Sequence, residues 1–203
     1  MPTIANMEKV NGIVISGTPA VPDAHTLIAT ATASSSATLS FTLGLDSLYD
    51  AYEFRFENMH PATDGASFQF QVNAAGQSGF NETMTTTVIL AHHHESNDAT
   101  TLAYSTYWDQ AQGTAYQSIG SYETGNDNDQ SSSGILKLYN PFSTTYVKHF
   151  TSDGSGAYKV EYLVSLKTAG YINTTGAIDE ISFAMDSGNI DAGVIKMYGI
   201  AKA

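Results

Sequence analysis

The stretch YEFRFENMHPATDGASFQFQV, residues 52–72, decides the fold. Tyr52, Phe54 and Phe56 alternate with Glu53, Arg55 and Glu57. Phe68, Phe70 and Val72 then alternate with Ser67, Gln69 and Gln71. Side chains two apart lie on one face of a strand, so each run has an apolar face and a wetter one. Between them, residues 59–65 (MHPATDG) gather Pro, Asp and Gly, which bend the chain. The reading is strand, turn, strand.

The same period governs the rest of the chain from His25 onward. Tyr158, Val160, Tyr162 and Val164 alternate with Lys159, Glu161, Leu163 and Ser165. Ile181, Phe183 and Met185 alternate with Ser182, Ala184 and Asp186, and Val194, Lys196, Tyr198 and Ile200 share one face. No window carries a long apolar stripe at helical spacing. Turn signals fall at Ala74-Ala75-Gly76, 125–134, Asn140-Pro141, Asp153-Gly154, 173–176 and Ser187-Gly188. Roughly eight to ten strands follow, at the intervals of sandwiches and barrels. Parallel sheets need long crossovers, usually helices, and none is legible. The expected fold is all-β: an antiparallel β-sandwich, jelly-roll-like, over residues 25–203. The polar segment 121–134 (SYETGNDNDQSSSG) is expected to be an exposed, mobile loop.

Residues 1–24 read differently. They hold Pro2, Pro19 and Pro22, three of the five prolines, and a short apolar stretch, Ile13-Val14-Ile15. An extended N-terminal arm that lies on a partner is expected, with Ile4, Met7, Val10, Ile13, Val14 and Ile15 as contacts. The plainer alternative is a leader without fixed structure.

Charge narrows the partners. Eight basic residues face twenty acidic ones, a net −12 over 203 residues. Such a surface repels phosphate and anionic lipid, which argues against nucleic-acid and membrane partners. There is no cysteine, which removes thiol nucleophiles and thiolate metal sites. No apolar run approaches the length of a membrane span, and no secretory signal is expected at the start.

Chemistry-bearing patterns are sparse. His92, His93 and His94 are consecutive, and His92 and His94 would share a strand face, as zinc could use. The run AHHHESND lacks HExxH spacing, and a solvated loop with incidental histidines is the favoured reading over a metal at a subunit contact. Asn126-Asp127-Asn128-Asp129 offers oxygen ligands but fails the EF-hand pattern. Asp46 with Asp50, or Asp179 with Glu180, are pairs of carboxylates that any acidic chain supplies. No phosphate loop, dinucleotide fingerprint or nucleophile elbow occurs. The expectation is no catalytic residue, no cofactor and no metal. Tyr104, Tyr107, Trp108 and Tyr116 crowd one region. An ordinary aromatic core accounts for them, but Tyr107 and Trp108 are also candidates for receptor contact.

Several stretches resemble one family. Residues 25–65 resemble a recurring segment of tailed-bacteriophage virion proteins, with a D-S-x-Y-D-x-Y turn (here Asp46 to Tyr52) and a PATDG turn (Pro61 to Gly65). SGILKLYNPFSTTYVKHF (133–150) resembles that family's N-P-x-S-T-T-Y hairpin, and residues 170–200 resemble its closing strands. IANMEKVNGI (4–13) is similar to a peptide found ahead of phage appendage domains. The resemblance implies a non-enzymatic structural protein of the virion, assembled in the host cytoplasm. A capsid decoration or cement-type protein anchored by its arm is the leading expectation, because no stalk repeat is present. A tail-fibre or head-fibre tip that binds a host-surface glycan or protein is the alternative. The partners expected are other virion proteins and further copies of the chain, a trimer being favoured.

Overall fold

The computed structural model describes residues 25–201 and, ahead of them, the backbone of two short strands, β1 (Lys9–Val10) and β2 (Ile13–Val14). These two pair with each other, Val10 opposite Ile13. Of the expected arm contacts, Ile4, Met7 and Ile15 lie outside the described residues. Val10, Ile13 and Val14 are described only as backbone.

The body is all strand, with no helix among the described residues. In chain order the strands are β3 (His25–Thr32), β4 (Leu39–Phe41), β5 (Ala51–Pro61), β6 (Phe68–Ala74), β7 (Met84–His94) and β8 (Thr100–Tyr104). Then come β9 (Ala111–Gly113), β10 (Gln117–Ser118), β11 (Ser132–Tyr139), β12 (Lys148–Tyr158), β13 (Tyr162–Ile172), β14 (Ile178–Met185) and β15 (Ile190–Ile200). They form two antiparallel sheets. The larger runs β3-β15-β5-β11-β12-β13-β7-β8, with β9 also on β7. The smaller runs β10-β6-β14-β4.

The sheets pack face to face through the aromatics that the alternation marked. From the large sheet, Phe54 meets Phe183 at 5.5 Å between ring centres and Phe56 meets Phe68 at 5.2 Å. Phe70 meets Phe150 edge-on at 4.9 Å, and Phe41 sits 5.7 Å from Phe54. The six phenylalanines of β5, β6, β12 and β14 are essentially fully buried. Each buried ring of this size contributes roughly 1.5–3 kcal/mol relative to exposure. The expected antiparallel two-sheet sandwich is therefore the observed architecture.

Three local expectations are corrected. Asp153-Gly154 is not a turn: both residues lie inside β12, opposite Ile135 and Gly134 of β11. Glycine is required there because the segment 119–121 crosses the sheet at that point; a Cβ on Gly154 would lie 2.5 Å from the Ile119 carbonyl oxygen. Second, residues 158–164 are not one strand. Tyr158 ends β12 and Tyr162 begins β13, joined by a tight hairpin in which Glu161 takes a left-handed φ of 62°.

Third, the segment 121–134 is not a mobile loop. Ser121, Thr124, Gln130 and Ser132 are buried, and Thr124 bridges Ala66 on one side and Tyr158 on the other. Only residues 126–129 are exposed at its tip. Polar composition suggested solvent, but the backbone groups of Thr124 and Gly125 bond to Ala66 and Ala157 as the segment crosses from one sheet to the other. The strand β5 also continues to Pro61, which leaves a shorter turn than residues 59–65.

Candidate functional site

The large sheet is wider than the small one, so its inner face continues past the edge of the sandwich. The continuation is aromatic. His92 and His94 of β7, Tyr162 of β13 and Tyr158 of β12 point to the same side, as the two-residue period requires. Their rings form a chain. His94 stacks on Tyr162 at 3.3 Å, His92 lies 5.6 Å from His94, and Tyr162 stacks on Tyr158 at 5.2 Å. Tyr122 meets Tyr158 at 5.5 Å, Trp108 stacks on Tyr122 at 5.6 Å, and Tyr107 meets Trp108 edge-on at 4.8 Å. Seven rings from five stretches of chain make one ledge.

Each ring is held by its own segment. The chain after β8 is pinned to β7: the Ser105 N–H donates to the Val88 carbonyl at 2.9 Å, and the Gln110 N–H donates to Thr86 Oγ1 at 2.8 Å. Buried Gln117 donates from Nε2 to the Trp108 carbonyl at 2.9 Å and accepts from Thr86 Oγ1 at 2.8 Å. That fixes the backbone under Trp108. Tyr122 is placed by its neighbour: the Glu123 N–H donates to Ser67 Oγ at 3.1 Å, and the Lys159 N–H donates to the Glu123 carbonyl. The Tyr122 hydroxyl lies 3.2 Å from His92 Nδ1.

The polar groups on the ledge are tied to the rings. The Tyr158 hydroxyl donates to Glu123, whose carboxylate also lies 3.4 Å from Lys159 Nζ. Burial, and then this bond, hold the Tyr158 phenol well above its ordinary range. Tyr122 is likewise raised, by burial first and the Glu123 charge second. Both phenols are therefore neutral and serve as hydrogen-bond donors or flat apolar faces. His94 Nδ1 is 2.7 Å from Asp98 Oδ1, and His93, on the opposite face, contacts Asn97.

The structure thus brings Trp108 together with Tyr107, Tyr122 and two of the three consecutive histidines. It does not bring in Tyr104, whose hydroxyl donates to Asp109, or Tyr116. Tyr107 is 81% exposed, while Trp108 is half-buried. Tyr122, Tyr158 and Tyr162 were not marked by sequence reasoning. Their only signal is that tyrosines recur at even spacing where β12 and β13 meet.

The other candidates sit elsewhere. Among the described residues no three of His, Asp and Glu converge as a metal centre. Asp127 uses its carbonyl to close a turn to Gln130, and the same oxygen lies 3.1 Å from His60 Nε2. Asp46 is bound into a turn with Tyr52. Glu180 accepts from Asn73 at 3.0 Å, whereas Asp179 Oδ1 is buried without a hydrogen-bond partner. What the ledge offers chemically is stacking, apolar contact and a few fixed donors and acceptors. Compared with protein-family models, with curated proteins and with solved structures, the chain matches none.

Proposed function

We propose that the chain is a non-enzymatic structural protein of a tailed-phage particle, a decoration or cement-type protein whose residues 1–24 attach it and whose jelly-roll-like sandwich projects. One observation carries the reading. The residues that give the family resemblance hold the architecture instead of facing a cleft. Asp46 and Tyr52 lock the turn before β5, and the Asn140 N–H donates to the Asp50 carbonyl beside the turn after β11. Of the paired carboxylates, Asp46 is tied into such a turn and Glu180 accepts from Asn73. In this reading the partners are other virion proteins and further copies of the chain. The arm is tested by binding to particles that lack the protein: a chain without residues 1–24 folds but is not incorporated. Full incorporation of the truncated chain rejects the attachment role.

A second reading has its own support. Tyr107, exposed and edge-on to Trp108, caps a ledge of rings that suits stacking against a sugar or a protein loop. In that case the sandwich is a recognition tip. Tyr107→Ala with Trp108→Ala then lowers phage adsorption at least tenfold with unchanged thermal stability. Unchanged adsorption rejects it. Immunogold labelling separates the two readings by place, on the head shell for the first and at a fibre tip for the second.

A further inference from the structure

The outer face of the large sheet differs from the rest of the surface. Arg55, Lys137, Lys167 and Lys196 all stand on it, half of the protein's eight cations. They pair with three carboxylates of that face: Arg55 along β5 and Lys137 across strands with Glu53 at 2.7 and 3.3 Å, Lys196 with Glu57 at 3.0 Å, and Lys167 with Asp153. Four cations against three carboxylates leave +1. Residues 25–201 as a whole carry six cations against eighteen acids, so the remainder is −13.

The same face carries exposed apolar side chains. One cross-strand row runs Ile135, Asp153, Lys167, Ile89, Tyr104 over β11, β12, β13, β7 and β8. Ile89 is 49% exposed, and Leu102, beside Tyr104 on β8, is 78% exposed. Between Ile135 and Ile89 lies a shallow groove of about 340 Å³, floored by Thr87, Thr151 and Ala169. Exposed apolar groups gathered on one face mark a contact surface.

We propose that this face is a two-fold contact between two copies of the chain. The order of the row names the partner. Ile135, Asp153, Lys167, Ile89 reads apolar, negative, positive, apolar. Turned by 180° about an axis that lies in the interface, parallel to the strands and between Asp153 and Lys167, it sets Asp153 against Lys167 of the second copy and Ile135 against Ile89. A two-fold interface needs a patch that complements itself in this way. An approach that uses neither copy's outer face brings strongly negative surfaces together, and like charges facing each other oppose association. The six strands from β5 to β8 span ~24 Å at ~4.8 Å each. With about eight residues of length, that is on the order of 600 Å², close to the ~800 Å² per partner of a stable complex. The contact is independent of the arm, and a two-fold pair departs from the trimer expected from the sequence.

Sedimentation velocity and disulfide trapping on the full chain test it. The wild type is a dimer, or an even-numbered assembly, at micromolar concentration. Ile89→Lys with Ile135→Lys weakens association at least tenfold, whereas Leu43→Lys with Leu48→Lys, two exposed leucines outside this row, leaves it unchanged. Raising salt from about 50 to 500 mM tightens the dimer, because it screens the repulsion between the acidic bodies. The chain has no cysteine, so Ile89→Cys with Ile135→Cys gives a clean trap. These positions face one another across the two-fold. Within one chain they lie in the same row on β7 and β11, three strands or ~14 Å apart, too far to bridge. Mild oxidation yields a covalent dimer. A wild-type monomer at about 100 µM, an assembly indifferent to the Ile89 and Ile135 changes, or free thiols after oxidation overturns the contact. None of these outcomes touches the arm, whose failure would appear only in particle binding.

Discussion

The hydroxyl of Tyr52 closes a turn on Asp46: it accepts from the Asp46 N–H at 2.9 Å and lies 2.9 Å from Asp46 Oδ1. Asp46 Oδ1 in turn accepts from the Leu48 N–H at 2.7 Å. The Tyr52 ring is fully buried and meets Tyr49 edge-on at 5.7 Å. A core residue of β5 thus fixes the loop that enters β5. Removing the hydroxyl with Tyr52→Phe leaves the packing intact but strips the Asp46 N–H of its partner. The expected loss is about 1–2 kcal/mol in urea unfolding. Asp46→Ala loses a similar amount, and the double variant loses less than the sum, because both changes break one unit. Full additivity would mean that the turn does not depend on this bond.

Gly154 tests how the crossing segment is seated. Beyond the Ile119 oxygen, its Cβ would lie 2.8 Å from the Cα of Gly120. Backbone is in the way, and backbone cannot swing aside as a side-chain end can. Gly154→Ala therefore forces the 119–121 crossing off the sheet and costs roughly 1–3 kcal/mol, the usual range for overpacking. Gly176→Ala is the control, since its nearest neighbours lie at 3.3 and 3.8 Å and its φ is not left-handed. It changes stability by less than about 0.5 kcal/mol. Equal effects at the two sites would remove the crowding argument.

What the sequence disclosed follows the same division. The strands with one dry face, such as those of Tyr52 and Phe68, were legible because burial writes itself into a period of two. Gly154 misled because its reason is a distant segment passing overhead, and locally a glycine after an aspartate means a turn. The hairpin between Tyr158 and Tyr162 was invisible for a different reason. Its ends are four residues apart and pair with each other, so the alternation keeps its phase through the turn. The polar run 121–134 misled because its backbone bridges the layers: the Thr124 N–H donates to the Ala66 carbonyl and the Gly125 N–H to the Ala157 carbonyl. On the ledge, Tyr107 and Trp108 stand out by composition. Their neighbours Tyr122, Tyr158, His92 and His94 come from other strands, and only the fold brings them together.

Glu53 makes acid stability a test of the outer face. Its carboxylate is almost fully buried beneath Arg55, Lys137 and Tyr198, with His25 Nε2 at 3.6 Å. Burial alone would push its pKa up, but the bonds from Arg55 and Lys137 together outweigh that and hold it below the ordinary range. Between the lowered value and the ordinary one, near ~4.3, the unfolded chain binds a proton that the folded chain does not. The stabilisation is complete above that range and is lost as pH falls through the folded value. Urea midpoints should therefore fall below about pH 4.5, and Glu53→Gln should flatten this limb. The variant also costs roughly 1–3 kcal/mol at pH 7, because two cations lose their partner. An unchanged acid limb in Glu53→Gln would place the loss on other carboxylates.

The alkaline limb sets two phenols against one amine. Tyr52, through burial first, and Tyr158, through burial and then Glu123, have pKa values held well above the ordinary ~10. Above pH ~10 the unfolded chain releases these protons while the folded chain keeps them, so their stabilisation is present below that pH and lost as pH rises. Lys148 acts in the opposite sense. It is fully buried at the start of β12, where it donates to the Tyr146 and Thr174 carbonyls at 3.1 Å each. Burial lowers its pKa, although the nearby charge of Glu82 offsets part of the effect. In the window below its ordinary ~10.4 the folded chain has released a proton that the unfolded chain still holds, so this one group adds stability with rising pH. Two strongly raised phenols exceed one amine, so urea midpoints should fall between about pH 10 and 11. Absorbance at the phenolate band should show tyrosines, Tyr52 and Tyr158 among them, that ionise only on unfolding. Tyr158→Phe should remove one of them and give a shallower limb. Midpoints that rise over this range would mean that Lys148, not the tyrosines, dominates the alkaline behaviour.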